Sequence, residues 1–447
     1  MGRKATETRR IALEILEAVD AQNVKLHIAV RNVLDKYDYM DPRDKAFIKY
    51  LTEGVIQYRI KLDYCIDQYA KVKGRIKPVV RRFLRMGTFQ ILYMDQVPDS
   101  AACNETVMLA AEKGLNNLRG FINGVLRNIS RQKNCFEWPA NNLSVEYSMP
   151  QWICDYLGTH FTKEQVLAIL KSSLERRKLI IRINDNLNSD ETENLLARMK
   201  ESGVCASRHP YSKRAYILEN ASKVSDLPGF DNGKIMVQDI SSQLAVELAG
   251  IKQGDSCIDM CGAPGGKTVL AAVKCGSEGH VESRDLYDYK AEMIRENVER
   301  CGLRNVTVRV QDATEYTPES CDSADVVICD LPCSGLGVLG RKNDIKYNVT
   351  AESVKELAEL QRNILAMAVK YVKPGGILIY STCTITTEED EDNYKWIRDN
   401  LELEPVSIED CLPKELECDT AGAGYIKLLP GIYDSDGFFI SKFRKRK

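Results

Sequence analysis

The sequence predicts a multidomain chain. Residues 1–135 form an all-α domain, 136–235 a small α+β module, and 236–447 an α/β Rossmann-like domain. Three observations predict it. Apolar residues recur at helical spacing through the first region. Helical and strand patterns mix in the second. In the third, short apolar runs alternate regularly with helical stretches, the pattern of a doubly wound parallel sheet. A chain of 447 residues with 44% hydrophobic content can furnish several cores.

In the first region Ile11, Ile15 and Val19 line one helical face. Phe47, Leu51, Val55 and Tyr58 line another, and Leu84, Phe89, Ile91 and Leu92 a third. Asp41-Pro42 and Val97-Pro98-Asp99-Ser100 mark turns, and Asp99 or Ser100 is placed to cap the helix that follows. A helix carrying Phe121, Val125 and Leu126 closes the region on Arg127 and Arg131. The formal charge of −2 hides an asymmetry, because residues 1–135 carry about +9 and the remainder about −11. The excess peaks at Lys71, Lys73, Arg75, Lys77, Arg81, Arg82 and Arg85. A basic lobe joined to an acidic body suggests a polyanionic partner, and a solvated charged face is the plainer alternative.

In the module, Trp138-Pro139-Ala140-Asn141-Asn142 reads as a linker and residues 152–170 as helical. Residues 179–184 and 215–218 are strand candidates around a helix at 190–200. Arg182 and Asn184, at a strand end, are expected on the surface, within reach of a substrate.

The Rossmann-like domain opens with a strand at 256–260 and continues with strands at 280–284, 306–310, 325–329 and 377–380. After the first strand comes Cys261-Gly262-Ala263-Pro264-Gly265-Gly266-Lys267-Thr268. Glycine lets the backbone approach a ligand there, and free amides at the following helix start can hold a polar or anionic group. A phosphate-binding P-loop is excluded, because Gly262 lies one residue too close to Gly266-Lys267-Thr268, and G-x-G-x-x-G is absent. Asp259, Asp285, Asp312, Asp330 and Cys383 each follow or end a successive strand, where open α/β sheets bind ligands. Asp285 lies 19 residues after Gly266, a separation that suits a carboxylate accepting two ribose hydroxyls. Asp312 is placed to meet an adenine edge. Adenosine without a phosphate signature suggests S-adenosylmethionine, its methionine part lying along residues 261–267.

Asp330-Leu331-Pro332-Cys333-Ser334-Gly335 and Ser381-Thr382-Cys383 put two thiols beside the same pocket. Methylation at carbon 5 of a pyrimidine needs such a thiol: C5 becomes nucleophilic only after a thiolate adds at C6. A carboxyl group at Asp330 can hold the cytosine N3 and amino edge as charge develops. Two buried structural cysteines are the plainer alternative.

These motifs together resemble the RNA cytosine-C5 methyltransferases of the NOL/NOP/Sun group. Gln238-Asp239-Ile240-Ser241-Ser242 and Asp436-Gly437-Phe438-Phe439 resemble its flanking motifs. Residues 98–131, with Asn104-Glu105 and Phe121-Ile122-Asn123-Gly124-Val125-Leu126-Arg127, resemble the NusB-like RNA-binding domain of one bacterial branch. The resemblance implies Cys383 as nucleophile, Cys333 in product release, and Asp330 at the base. It implies S-adenosylmethionine held by Cys261, Gly262, Ala263, Pro264, Gly265, Gly266, Lys267, Asp285, Asp312 and Asp330. It also implies 16S ribosomal RNA, naked or partly assembled, as the partner. Gly262 stands where the family usually has Ala. Lys342-Asn343-Asp344-Ile345-Lys346-Tyr347 departs from the family's Pro-Asp and Trp, which touches its expected contacts with the base.

A transfer-RNA target, a non-catalytic RNA-binding or antitermination factor, and a nicotinamide-dependent dehydrogenase stay open as alternatives, the last disfavoured by the missing fingerprint. Fifteen cysteines without a C-x-x-C pair, and four scattered histidines, point to a reducing cytoplasm and away from a metal site. The absence of an apolar leader or a membrane-length run points away from membranes. The expected state is a monomer.

Overall fold

Asp41 and Pro42 open a helix as the turn signal predicts: the Asp41 carboxylate accepts from the Arg43 amide and proline takes the first turn of Pro42–Gln57. This computed structural model describes residues 2–22, 24–71, 74–221, 223–416 and 418–447. Lys73 of the basic run lies outside them. The chain divides into two compact units, Met1–Glu175 with Leu339–Asn348, and Arg176–Val338 with Val349–Lys447.

The first unit is helical. Gly2–Gln22, Leu26–Lys36, Pro42–Gln57, Arg59–Tyr69, Pro78–Tyr93, Asp99–Glu112 and Arg119–Gln132 bury their apolar faces in one core containing Ile11, Leu51, Phe83, Phe89 and Leu126. Gly54 is needed there, because a Cβ would lie 1.9 Å from the Phe89 ring. Asp99 does not cap its helix; it accepts from Ser130 (2.7 Å) and Lys133 (2.9 Å) and ties two helices together. Trp138 of the expected linker instead packs on Phe136 and joins this core.

The basic run divides. Lys71, Arg75 and Lys77 are exposed. Arg82 and Arg85 are buried: Arg82 bonds Asp20 at 3.2 Å, and Arg85 makes a forked pair with Asp63 at 2.7 and 2.6 Å. Arg81 meets Asp67 at 2.6 Å. Three of the arginines that suggested a polyanion site therefore have carboxylate partners inside the unit.

The second unit contains two sheets. Strands β1 (Leu179–Ile183), β2 (Cys205–Arg208), β3 (Ala215–Glu219) and β4 (Ile235–Val237) form an antiparallel sheet in the order β2-β3-β1-β4. Arg182 and Asn184 are buried, not on the surface, and the Arg182 Nε donates to Gln238 at 3.0 Å. Both faces of β1 are covered, since Ile180 to Ile183 are all buried, so Arg182 is buried whichever way it points, and Gln238 satisfies its Nε.

The larger sheet comprises β5 (Ser256–Asp259), β6 (His280–Asp285), β7 (Val306–Val310), β8 (Ala324–Asp330), β9 (Val372–Thr382), β10 (Leu403–Pro405), β11 (Tyr425–Leu428) and β12 (Phe438–Lys445). Its order is β10-β12-β9-β8-β5-β6-β7, with β11 on β12. Strands β5 to β9 are parallel, as expected, but β12 inserts antiparallel beside β9, so the sheet is mixed. The β8/β9 register sets Asp330 opposite Ser381. That one pairing brings the Cys333 and Cys383 loops together. No helix among the described residues is long and apolar enough to cross a membrane.

Candidate active site

At the end of β5 the chain turns through Cys261 to Gly265 and enters the helix Gly266–Cys275. The Gly262 amide donates to the Arg284 carbonyl (2.8 Å) and the Gly265 amide to the Gly262 carbonyl (2.7 Å). The Ala263–Pro264 bond is cis, and Gly265 has φ +107°, a conformation glycine adopts without strain. Asn297 donates to the Pro264 carbonyl at 2.8 Å and pins the outside of the turn. The first amides of the helix have no partner within it.

Around this turn the strand-end residues converge. Asp285, buried at the end of β6, accepts from the Ala263 amide at 3.4 Å, with Lys290 at 3.3 Å. Asp259 accepts from Thr268 at 2.7 Å through one oxygen, while its Oδ1 is buried without a partner. Burial pushes this carboxyl up to about 6, against the pull of Thr268 and Lys267. Burial likewise pushes the Cys261 thiol up, with Asp259 and Asp285 adding to it. Asp312 stands apart: its carboxylate accepts from the Thr314 amide (2.8 Å) and hydroxyl (2.6 Å), which hold its pKa down. The backbone joins it to the rest, since the Gln311 amide donates to the Asp285 carbonyl at 2.9 Å.

Lys267 does not run along the turn. Its Nζ reaches Asp330 at 2.6 Å and Ser242 at 3.0 Å. Burial acts to lower its pKa, but Asp330, with Asp259 and Cys383 adding to it, gives a net shift upward, so the ammonium persists. Asp330 also accepts from Ser381 at 3.0 Å. Beyond it the Cys333 and Cys383 sulfurs lie 3.2 Å apart, and the Cys383 amide donates to the Cys333 sulfur at 3.3 Å. Contact with Cys383, then burial, pushes the Cys333 thiol well above its ordinary range, because two touching thiols do not both ionise. The two flanking motifs meet as well: Asp239 caps its helix and accepts from the Asp436 amide at 3.3 Å.

The donor set suits a nucleoside sulfonium. Asp285 offers a carboxylate for hydroxyls, the helix-start amides suit a carboxylate, and the orphaned Asp259 oxygen is a buried acceptor beside them. Ser242 enters the site's polar network from the flanking motif Gln238-Asp239-Ile240-Ser241-Ser242, whereas Gln361 and Glu389 enter it without any signal in the spacing of motifs. Gln361 lies on a helix face, and Glu389 sits inside an acidic run that reads as solvated surface.

Residues 246–444 match the family model described as 16S rRNA methyltransferase RsmB/F. Residues 6–131 match the NusB family, and 149–225 a ferredoxin-like domain of RsmF/B-like methyltransferases. The chain is 32% identical to the probable ribosomal RNA small subunit methyltransferase B of Bacillus subtilis, covering 99% of this chain and 100% of that one. It is 30% identical to ribosomal RNA small subunit methyltransferase B of Escherichia coli O157:H7 over the same shares. The chain belongs to the 16S rRNA methyltransferase B family. Among solved structures, PH0851 shares the fold across 99% of this chain and 98% of its own (TM-score 0.79, 23% identity). A methyltransferase homologue from Pyrococcus horikoshii covers 68% of this chain and 98% of its own (TM-score 0.58, 25% identity).

Both departures from the family pattern have a structural reason. A Cβ on Gly262 would lie 2.1 Å from the Ser283 Oγ, so here Ser283 fills the space of the usual alanine methyl. The 342–347 segment belongs to the helical unit. Asp344 accepts from the Leu26 amide (2.8 Å), Lys346 donates to the Gln57 carbonyl (2.9 Å), and Arg59 lies over the Tyr347 ring. Burial pulls Lys346 down to about 7.

Proposed function

We propose that the protein methylates C5 of a cytosine in 16S ribosomal RNA through a covalent Cys383–C6 bond. The observation that carries this reading is the 3.2 Å contact between Cys333 and Cys383, beside an Asp330 carboxyl oriented by Lys267 and Ser381. S-adenosylmethionine, held against residues 261–267 with Asp285 and Asp312 on its adenosine side, supplies an electrophilic methyl group.

The chain's own residues do the rest. The Cys383 thiolate bonds to C6, breaking the C5–C6 double bond and leaving C5 electron-rich. Asp330 meets the N3 and amino edge, where its fixed position stabilises the charge that arrives. Once C5 carries its methyl group, its proton leaves to a base, the C6–Cys383 bond breaks, and the double bond returns. Cys333 suits that last stage. Its sulfur lies 3.2 Å from that of Cys383, beside the C6–Cys383 bond that must break.

The exposed cations of the helical unit, Lys71, Arg75 and Lys77, suit salt-dependent contacts with phosphates, and the target base is flipped into the pocket. The family's small-subunit relatives favour ribosomal over transfer RNA. All fifteen cysteines are free, which suits a reducing cytoplasm.

Labelled S-adenosylmethionine with naked 16S RNA and with partly assembled subunits tests the reading. Label should appear at cytosine C5 and fall by at least about 10³-fold in C383A. C333A should instead accumulate a denaturant-resistant protein–RNA adduct. Full activity in C383A would sink the proposal.

A further inference from the structure

An acidic run, Glu388-Glu389-Asp390-Glu391-Asp392, begins five residues after Cys383. Such runs ordinarily face water, yet Glu389 and Asp390 are both 0% exposed. Asp390 is matched by Lys427 at 3.0 Å. Among the described residues no cation is bonded to Glu389. Four donors surround it instead. One carboxylate oxygen accepts from the Ser334 amide (2.9 Å) and Gln361 (3.0 Å); the other accepts from the Ser334 hydroxyl (2.5 Å) and Thr386 (2.7 Å). Those four contacts match the acceptor sites of one carboxylate.

The donors are informative by position. Ser334 follows Cys333, and its hydroxyl also meets that of Thr384, which follows Cys383, at 2.7 Å. Gln361 reaches in from the helix Ala351–Tyr371 and donates to the Pro332 carbonyl at 2.9 Å, on the other side of Cys333. The Gln361 oxygen is fixed in turn by Tyr380 (2.9 Å) and Asn393 (2.7 Å). Tyr380 also donates to the Glu389 carbonyl. One buried carboxylate thus holds the residue after Cys333 directly and, through the Ser334 hydroxyl, the residue after Cys383, with no hydrogen bond to either sulfur among the described residues.

We infer that Glu389 is a positioning residue that holds Cys333 and Cys383 in register across two loops. The inference rests on the reading that both thiols act on one base. Mere stabilisation of the fold would not by itself demand that the carboxylate join these two loops. A neutral amide in its place removes the charge and two acceptor sites: either the Ser334 amide and Gln361 lose their acceptor, or the Ser334 and Thr386 hydroxyls must turn round to accept, and the grip on the loops loosens.

Glu389→Gln tests this in the full-length protein. Diamide in the absence of RNA takes two hydrogens from the Cys333 and Cys383 thiols, becoming a hydrazine as the disulfide forms. Peptide mapping follows that bond alone. We expect it to form at least about tenfold more slowly in E389Q than in wild type, at temperatures where both are folded. In methyl transfer, kcat should fall by at least about tenfold with the KM for RNA unchanged, the signature of misplaced reacting groups. Equal disulfide rates and equal kcat would overturn the inference. Should E389Q fail to fold, Q361L and T386V remove donors from the same carboxylate and face the same criteria. A slowed disulfide together with a wild type that methylates no RNA supports the positioning role and overturns the proposed reaction.

Discussion

In the helical unit Arg82 and Arg85 are 7% and 8% exposed, and each has a carboxylate within hydrogen-bonding distance. At the rim of the large sheet Asp259 is 1% exposed, and one of its oxygens has no partner. Both regions bury charge, with opposite results. Paired burial holds helices together, whereas Asp259 is left with a buried oxygen that has no partner among the described residues. A charge in the sequence therefore says little until its partner is known.

Arg85→Met tests the paired side and carries the largest expected effect on stability. It leaves Asp63 without its forked partner, which should cost about 3 kcal/mol, measured by denaturant unfolding. R75A/K77A should leave stability unchanged and make the salt dependence of RNA binding shallower by about one or two charges. If folded R85M lost RNA affinity as R75A/K77A does, the division of the basic run into internal and outward charges would break.

Asp259→Asn tests the unpaired side. The folded carboxyl sits at about 6 against an ordinary 3.8. Its proton therefore favours the folded state, a contribution present below about pH 4 and lost as pH rises through 6. The wild type is then left with up to about 3 kcal/mol of destabilisation at pH 7. Asparagine keeps an acceptor for Thr268 and has nothing to titrate, so D259N should gain on wild type by that order between pH 4 and 7. A difference that does not vary with pH would remove the claim.

The smallest effect belongs to Gly262→Ala. Its methyl meets the Ser283 hydroxyl, and overpacking of this kind costs about 1–3 kcal/mol. G262A/S283A should recover part of it, since the Thr268 hydroxyl at 2.9 Å still crowds the new methyl. Failure of the double variant to recover would show that the glycine serves the turn itself and not the space.

Much of the fold is legible in order along the chain. Helical periodicity found the first unit's helices, and alternation and apolar runs found strands β5 to β9. The acids and the thiol at those strand ends were identifiable because a strand's end is a local feature. Other parts were not legible. The antiparallel β12 carries no mark distinguishing it from a parallel strand. Glu389 looks like its four acidic neighbours. Tyr347 stands where the resemblance expects a tryptophan near the base, and nothing local in the sequence announces that its ring packs against the helical core.

Periodicity and turn chemistry act over about ten residues or fewer, so the chain alone settles where elements begin and which residues stand at their ends. It also settles the character of the 261–267 turn. Neighbours are another matter. The alignment of Asp330 with Ser381, the pairing of Arg85 with Asp63, the seating of 339–348 among helices and the gathering of four donors on Glu389 arise from burial. Each joins residues far apart in the chain, and a buried polar group takes whichever partner the packed core brings within reach.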